Sequence, residues 1–551
     1  MSSDVSSDVS SDVSTGVPRA RLRAAIAAAA LVASPLAAQT ARTAHAARTA
    51  PVIDMHMHAR TAAHYGARGM PLCAPVERMP WCGGPAKPNT GSPAFRALLA
   101  DAQKAVIAQT PPWAAAIDSL MAGELARARA PGAQIAVVER GRLAYAKGYG
   151  VADVETGRPV TDRTLFLTGS VTKLVTATLL AQLAASGVVD LHAPVSRYVP
   201  ELAGRRTGAV TTHHLLTHSS GWSDAGTPFG RLDETALGDV FRAVGDTIVA
   251  TDPGRVASYC NPCFSMAGYV AERATGRRYA DLVDSAVLRP LGMRRATVRP
   301  TLAMTYDFAL GHAGAPADPP RVQRPMPANA ADAPSGFLYA SAPELSRLAA
   351  ALMGGGMLDG QRVLAADAVR AMTTAYVPIP GERAEAHGYG LDVDTVGGRA
   401  VWRKSGTVAG FRALVTMWPR EQLAIVVLTN RATDLPMHAT PLAARLIAGI
   451  SEPPTIVYRG ERDATPAERA ELAGTYGIGR QPIVIADSGG ALVVRLPNGE
   501  TGLGRLTRDG ARLVLPAPTD SALHPYVIVR DAAGRVRYLF RDNGRAYTKR
   551  P

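Results

Sequence analysis

Apolar and polar positions recur with different periods along the 551-residue chain, and the changes of period mark out its elements. From Val171 onward, apolar residues fall at Leu174, Val175, Leu179 and Leu183, the spacing of a helix that Gly187 is placed to end. Ahead of it, residues 113–129 predict a helix, and residues 134–139 and 142–148 two strands joined by a tight turn at Arg140-Gly141. Residues 188–385 read as helical and rich in loops. Four strand-like runs follow, 389–396, 400–405, 411–419 and 423–430, with turns at 397–398 and 419–422 that make them antiparallel neighbours. Residues 436–450 then form a helix able to cover one face. Strands at both ends with helices between them imply an α+β domain: one antiparallel sheet built from N- and C-terminal segments, packed against helices, plus a helical subdomain.

The flanks have other patterns. Residues 467–551 hold short strand-like runs separated by turns at 487–490, 509–510, 531–534 and 543–544, which argues a small all-β domain, sandwich or barrel. Residues 451–466 have the prolines and charges of a linker. At the other end, residues 1–50 combine a low-complexity Ser-Asp-Val-Ser repeat with the layout of a secretory signal. Arg19, Arg21 and Arg23 precede the apolar run 24–33, and Ala44-His45-Ala46 offers a cleavage site. Residues 51–112 read as a spacer, leaving 113–450 as the main domain. An exported protein, periplasmic or secreted, is therefore expected. Outside the N-terminus no apolar run is long enough to span a membrane, so no stable span is expected after signal removal.

The net charge of +14 changes this picture little. Only six of the 60 basic residues are lysine, the arginines are spread among alanines, and no basic run with interleaved aromatics appears, so no nucleic-acid partner is expected. The scarcity of lysine is itself informative, because Lys173 and Lys404 both sit in candidate motifs. Ser170 falls on the first turn of the helix that follows it, and Lys173, three residues on, shares its face. A helix N-terminus stabilises a developing oxyanion and disfavours a protonated lysine, which makes Ser170 a nucleophile with a base in reach. A lone Ser-x-x-Lys is weak evidence. Two further triplets strengthen it: Tyr259-Cys260-Asn261, in a loop ahead of a helical run, and Lys404-Ser405-Gly406, at the end of a strand that turns back at 408–410.

With these motifs the chain resembles the serine β-lactamase and penicillin-binding protein superfamily, nearest the branch of class C β-lactamases, D-alanyl-D-alanine carboxypeptidases and related esterases. The resemblance runs from about Pro131 to Asn430. It includes Pro131-Gly132, Phe166-Leu167-Thr168-Gly169-Ser170, Leu215-Leu216-Thr217-His218-Ser219-Ser220-Gly221, Pro290-Leu291-Gly292-Met293 and Gly311-His312. Leu472-Ala473-Gly474-Thr475-Tyr476 is similar to the start of all-β appendages on some members. The resemblance implies a β-lactamase/transpeptidase-like fold and an acyl-enzyme on Ser170, with Lys173 assisting deprotonation. It further implies that Tyr259 relays a proton to the leaving group, with a phenolate favoured by two nearby ammonium groups, and that Asn261 holds Lys173 and the substrate amide. Lys404 would lower the pKa of Tyr259 and attract a substrate carboxylate; Ser405 would add a hydroxyl. Gly406 would let substrate approach the strand, and the backbone N–H groups of Ser170 and Thr407 would form the oxyanion hole.

No cofactor or metal is expected for this chemistry, and the substrate is a small molecule or a peptidoglycan stem: β-lactam, D-alanyl peptide or ester. Many esterase-like relatives have histidine where this chain has Lys404, which tilts the expectation mildly towards carboxylate-bearing substrates. A penicillin-binding or cell-wall sensor protein of low turnover is the alternative. A third reading comes from Pro51-Val52-Ile53-Asp54-Met55-His56-Met57-His58, which resembles the opening strand of metal-dependent amidohydrolases. The rest of such a site is missing, so it reads as a remnant. His213, His214 and His218 have metal-like spacing but fall in a structural stretch of the resemblance. Among the four cysteines, Cys260 can pair with Cys263 and Cys73 with Cys82, although four cysteines allow three pairings.

Overall fold

In chain order the main domain runs through helix α1 (Ala114–Ala128), strands β1 (Gly132–Glu139) and β2 (Arg142–Asp153), and helices α2 (Thr172–Ala185), α3 (Asn261–Thr275) and α4 (Ala342–Met353). Strands β3 (Asp392–Val396), β4 (Arg399–Val408), β5 (Phe411–Trp418) and β6 (Leu423–Thr429) follow, and helix α5 (Leu435–Ala448) ends the region. The computed structural model describes residues 110–550 apart from 225, 315–316, 382–383, 452–459, 478–481, 497–498, 516–523 and 542–543. The expected signal, the spacer, His56, His58 and the Cys73–Cys82 pair lie outside the described residues.

Strand β1 stands between β2 and β6, so the last strand of the region pairs with its first, and the full sheet has nine strands, all antiparallel to their neighbours. β1, β5 and β6 are nearly continuous apolar runs because both faces of the sheet are covered. Successive side chains alternate between two cores. Ala133, Ile135 and Val137 meet Ile425, Val427 and the apolar sides of α1 and α5, while Ala136 and Val138 join Val426, Leu428 and the large helical core on the α4 side. The turn at Arg140-Gly141 has φ of 54° and 74° at its two residues, as a tight hairpin of this twist requires.

Two elements differ from the sequence pattern. Strand β3 begins at Asp392 rather than near residue 389, because Gly390 adopts a φ of 74° and lies so close to the Lys173 carbonyl that a Cβ would collide with it. Strand β4 extends to Val408, which places Lys404, Ser405 and Gly406 inside the strand instead of at its end. Helix α2 is also more enclosed than an amphipathic reading implies: every residue from Thr172 to Ala181 is buried. Its hydroxyls are satisfied internally, Thr178 by the Leu174 carbonyl and Thr176 by the Pro334 carbonyl and Tyr279 hydroxyl.

The C-terminal unit is a meander from Gly474–Tyr476 to Ala546–Thr548 in which each strand pairs with the next. Its first strand meets its last through a Tyr476–Lys549 bridge and a hydrogen bond from Arg550 N–H to the Thr475 carbonyl (2.8 Å), so the all-β unit curls into a near-closed barrel around Tyr476, Leu492, Leu513 and Leu539. Glu461–Arg462, in the stretch read as a linker, pairs with Leu506 and Thr507 of this unit.

Candidate active site

Ser170 lies in a 3₁₀ turn, Gly169–Val171, that feeds directly into α2. The turn is possible because Gly169 takes a φ of 54° and because two glycines let it press on strand β4. A Cβ on Gly169 would sit 2.7 Å from the Thr407 nitrogen, and one on Gly406 would lie 2.8 Å from the Ser170 nitrogen. Gly406 is therefore required by the nucleophile's own backbone, a different reason from the substrate approach that the sequence suggests. The close approach brings the backbones of Ser170 and Thr407 side by side, as an oxyanion hole needs. Ser405 and Thr407 are exposed on the same strand.

Lys173 is fully buried, and its Nζ has three polar neighbours: Asn261 Oδ1 at 2.7 Å, the Ser335 carbonyl at 2.6 Å and Ser170 Oγ at 3.1 Å. Two of these are acceptors only. A neutral amine has two N–H groups to give them and one lone pair left for the Ser170 hydroxyl. Burial, and then the positive charge of Lys404, hold its pKa well below the usual lysine range. Geometry and electrostatics thus agree on an amine poised to accept the serine proton.

Tyr259 and Asn261 flank the start of α3. Cys260 is the N-cap of that helix, its Sγ accepting from the Cys263 N–H at 3.1 Å, and the two cysteines are disulfide-bonded with Cα atoms 5.4 Å apart. The Tyr259 hydroxyl donates to Ser170 Oγ at 2.5 Å. Burial pushes this phenol up rather than down, and the hydrogen bond with Ser170 only partly offsets it. Here the expectation of a lowered tyrosine pKa is corrected. Lys404 Nζ lies 5.3 Å from the ring centroid and Lys173 Nζ 4.9 Å, but Lys173 is depressed towards its neutral form and the Tyr259 side chain is half-buried. Tyr259 rests as a protonated donor. Lys404 itself is 3% exposed and shares the field of Asp392, whose carboxyl is held down by Lys404 and His387 against the effect of burial.

The site therefore brings Ser170, Lys173, Tyr259, Asn261, Lys404 and Gly406 together, adds Ser335 and Asp224, which the sequence does not single out, and gives the three histidines structural partners. Ser335 contributes only a carbonyl, which no side-chain pattern can signal. Asp224 accepts from the Asn261 backbone N–H (3.0 Å) and side-chain amide (3.3 Å). His218 packs on the Tyr259 ring at 4.6 Å between centroids and accepts from the Cys260 N–H through Nδ1 at 3.1 Å. His213 bonds the Tyr389 hydroxyl (2.8 Å) and His214 closes a capping box with Thr211, so the histidine triplet serves the fold around the site.

The Beta-lactamase family model matches residues 114–449, more than half of the chain. The chain belongs to the beta-lactamase family. Its relatives include Esterase EstB of Burkholderia gladioli, 37% identical over 33% of this chain and half of the esterase. They also include Penicillin-binding protein 4 of Amycolatopsis lactamdurans, 28% identical over 63% of this chain and 93% of that protein. Among solved structures, SurE with D-Leu is similar at a TM-score of 0.64 and 26% identity, covering 79% of this chain and 99% of SurE. The D-alanine carboxypeptidase AmpC from Burkholderia cenocepacia follows at 0.50 and 25%, over 60% of this chain. The match to SurE covers a larger share of this beta-lactamase family member than the family model does.

Proposed function

We propose that the protein is an exported serine acyl hydrolase in which Ser170 forms an acyl-enzyme with β-lactam, D-alanyl peptide or ester substrates. The observation that carries this reading is the hydrogen-bond pattern at Lys173, whose amine spends both N–H groups on Asn261 and Ser335 and keeps its lone pair for Ser170. As Oγ attacks the acyl carbon, Lys173 takes the serine proton. The N–H groups of Ser170 and Thr407 receive the developing oxyanion. Tyr259 gives its proton to the leaving group and regains one from Lys173, which resets the amine. Lys404, with no hydrogen bond among the described residues, anchors a substrate carboxylate, and Ser405 adds a hydroxyl beside it. The signal-like segment supports export, as does the Cys260–Cys263 pair, which persists in an oxidising compartment.

Labelling with a fluorescent penicillin and hydrolysis of a chromogenic ester, in wild type and Ser170→Ala, test the assignment. Wild type should be labelled and cleave the ester, and Ser170→Ala should lose both by at least about a thousandfold. Ester cleavage that survives in Ser170→Ala refutes the serine mechanism. Labelling without release would instead mark a penicillin-binding sensor.

A further inference from the structure

No catalytic constellation is visible in the barrel sequence, yet one of its turns reaches the site. The Gly544 carbonyl accepts from the Tyr259 backbone N–H at 2.7 Å, and Ala546 N–H donates to Ser258 Oγ at 3.2 Å. Gly544 has a φ of 82°, and a Cβ there would stand 3.3 Å from that of Tyr259. Between these contacts Arg545 extends its guanidinium to Asp224, with Nε 3.0 Å from Oδ2 and a second, shorter bond from NH2 to the same oxygen. Asp224 is only 7% exposed and is the carboxylate that holds both the backbone and the side chain of Asn261. Asn261 in turn accepts from Lys173. A continuous chain of hydrogen bonds, charge-assisted where Asp224 takes part, thus runs from a barrel residue to the amine beside Ser170.

We propose that Arg545 is a positioning residue of the acylation site: through Asp224 it fixes Asn261 against Lys173 and offsets a buried negative charge beside the amine. The barrel is then a working part of the site. The inference rests on Ser170 and Lys173 acting as proposed above. Its electrostatic side follows from the charges around the amine. Lys404 and Arg545 disfavour the ammonium, Asp224 and Asp332 favour it, and the neutral-leaning His218 and protonated Tyr259 complete the enclosure. Arg545 is itself held charged, since the pull of Asp224 outweighs the burial that opposes it. Without Arg545 the charges of Asp224 and Asp332 are opposed at Lys173 by Lys404 alone, so the amine holds its proton to higher pH.

The test is the acylation rate of the full chain with a neutral chromogenic ester, followed across the acid limb of the pH profile. A neutral ester excludes any effect of Arg545 on a substrate carboxylate. Arg545→Ala should move the limb up by about one pH unit and lower the rate below it about tenfold. Arg545→Lys should recover most of this, Asp224→Asn should move the limb down, and the double variant should return it towards wild type. A rate loss with the limb unmoved, or the same direction of shift in both single variants, overturns the proposal. If Arg545→Ala does not fold, Arg545→Lys, Asp224→Asn and the double variant still read the opposing charges. Penicillin labelling of Ser170 separates the two levels: a labelled wild type with an unmoved limb fails this inference alone, whereas an unlabelled Ser170 fails the acyl-enzyme reading and this inference with it.

Discussion

A lysine with no water around it is a poor place for a positive charge, and Lys173 is kept that way by burial first and by Lys404 second. In the proposed mechanism the two lysines consequently have opposite tasks. Lys173 works as a neutral base, so the acid limb of acylation should lie far below the ordinary lysine range. Lys404 works as a charge, and its removal has two separable effects. In Lys404→Ala the Lys173 amine loses a positive neighbour, holds its proton to higher pH, and the acid limb moves up for every substrate. Carboxylate-bearing substrates should lose about tenfold more in kcat/KM than neutral esters, because only they lose an ion pair. Equal losses on both classes, measured side by side well above the limb, would exclude Lys404 as a carboxylate anchor. At this scale the serine–lysine pair is legible in sequence, since a three-residue spacing on a helix fixes its proximity. The protonation state of Tyr259 is not, because it depends on how completely the ring is enclosed.

Two helix N-termini and one strand make the site. Helix α2 supplies Ser170 and Lys173, α3 begins at Asn261 immediately after Tyr259, and β4 passes Lys404 and Gly406 against the turn that carries the nucleophile. The fit of β4 on that turn leaves no room for a methyl group: a Cβ at Gly406 would fall against the Thr168 carbonyl and 2.8 Å from the nitrogens of Ser170 and Val171. Gly406→Ala should therefore push the oxyanion donors apart and lower kcat about a hundredfold with KM little changed, measured by steady-state ester hydrolysis. The strand-like runs of β1 and β6 and the period of α2 were readable because local geometry sets them. The length of β4 and the late start of β3 were not, since both are decided by contacts with the α2 region.

At the scale of the whole molecule, the barrel is docked by a small apolar cluster in which Val256, beside the Tyr259 loop, meets Tyr538 and Phe540. A carboxylate there would be buried without a partner. Val256→Asp should loosen the barrel from the Tyr259 loop and slow acylation about tenfold or more, while circular dichroism shows both domains still folded. Acylation at the wild-type rate would mean that the docking does not support the site. By itself the sequence determined the elements of the α+β domain, the all-β character of the last 85 or so residues, and the three motifs with their order. Those follow from periodicity and from residue chemistry, which act locally. Only the tertiary structure decided that Asp224 and Arg545, 321 positions apart, complete the chain behind Asn261. It also decided that Gly406 yields to the nucleophile's backbone and that Tyr259 rests protonated. Those outcomes depend on which distant surfaces exclude water from one another, and no local pattern in a chain encodes that.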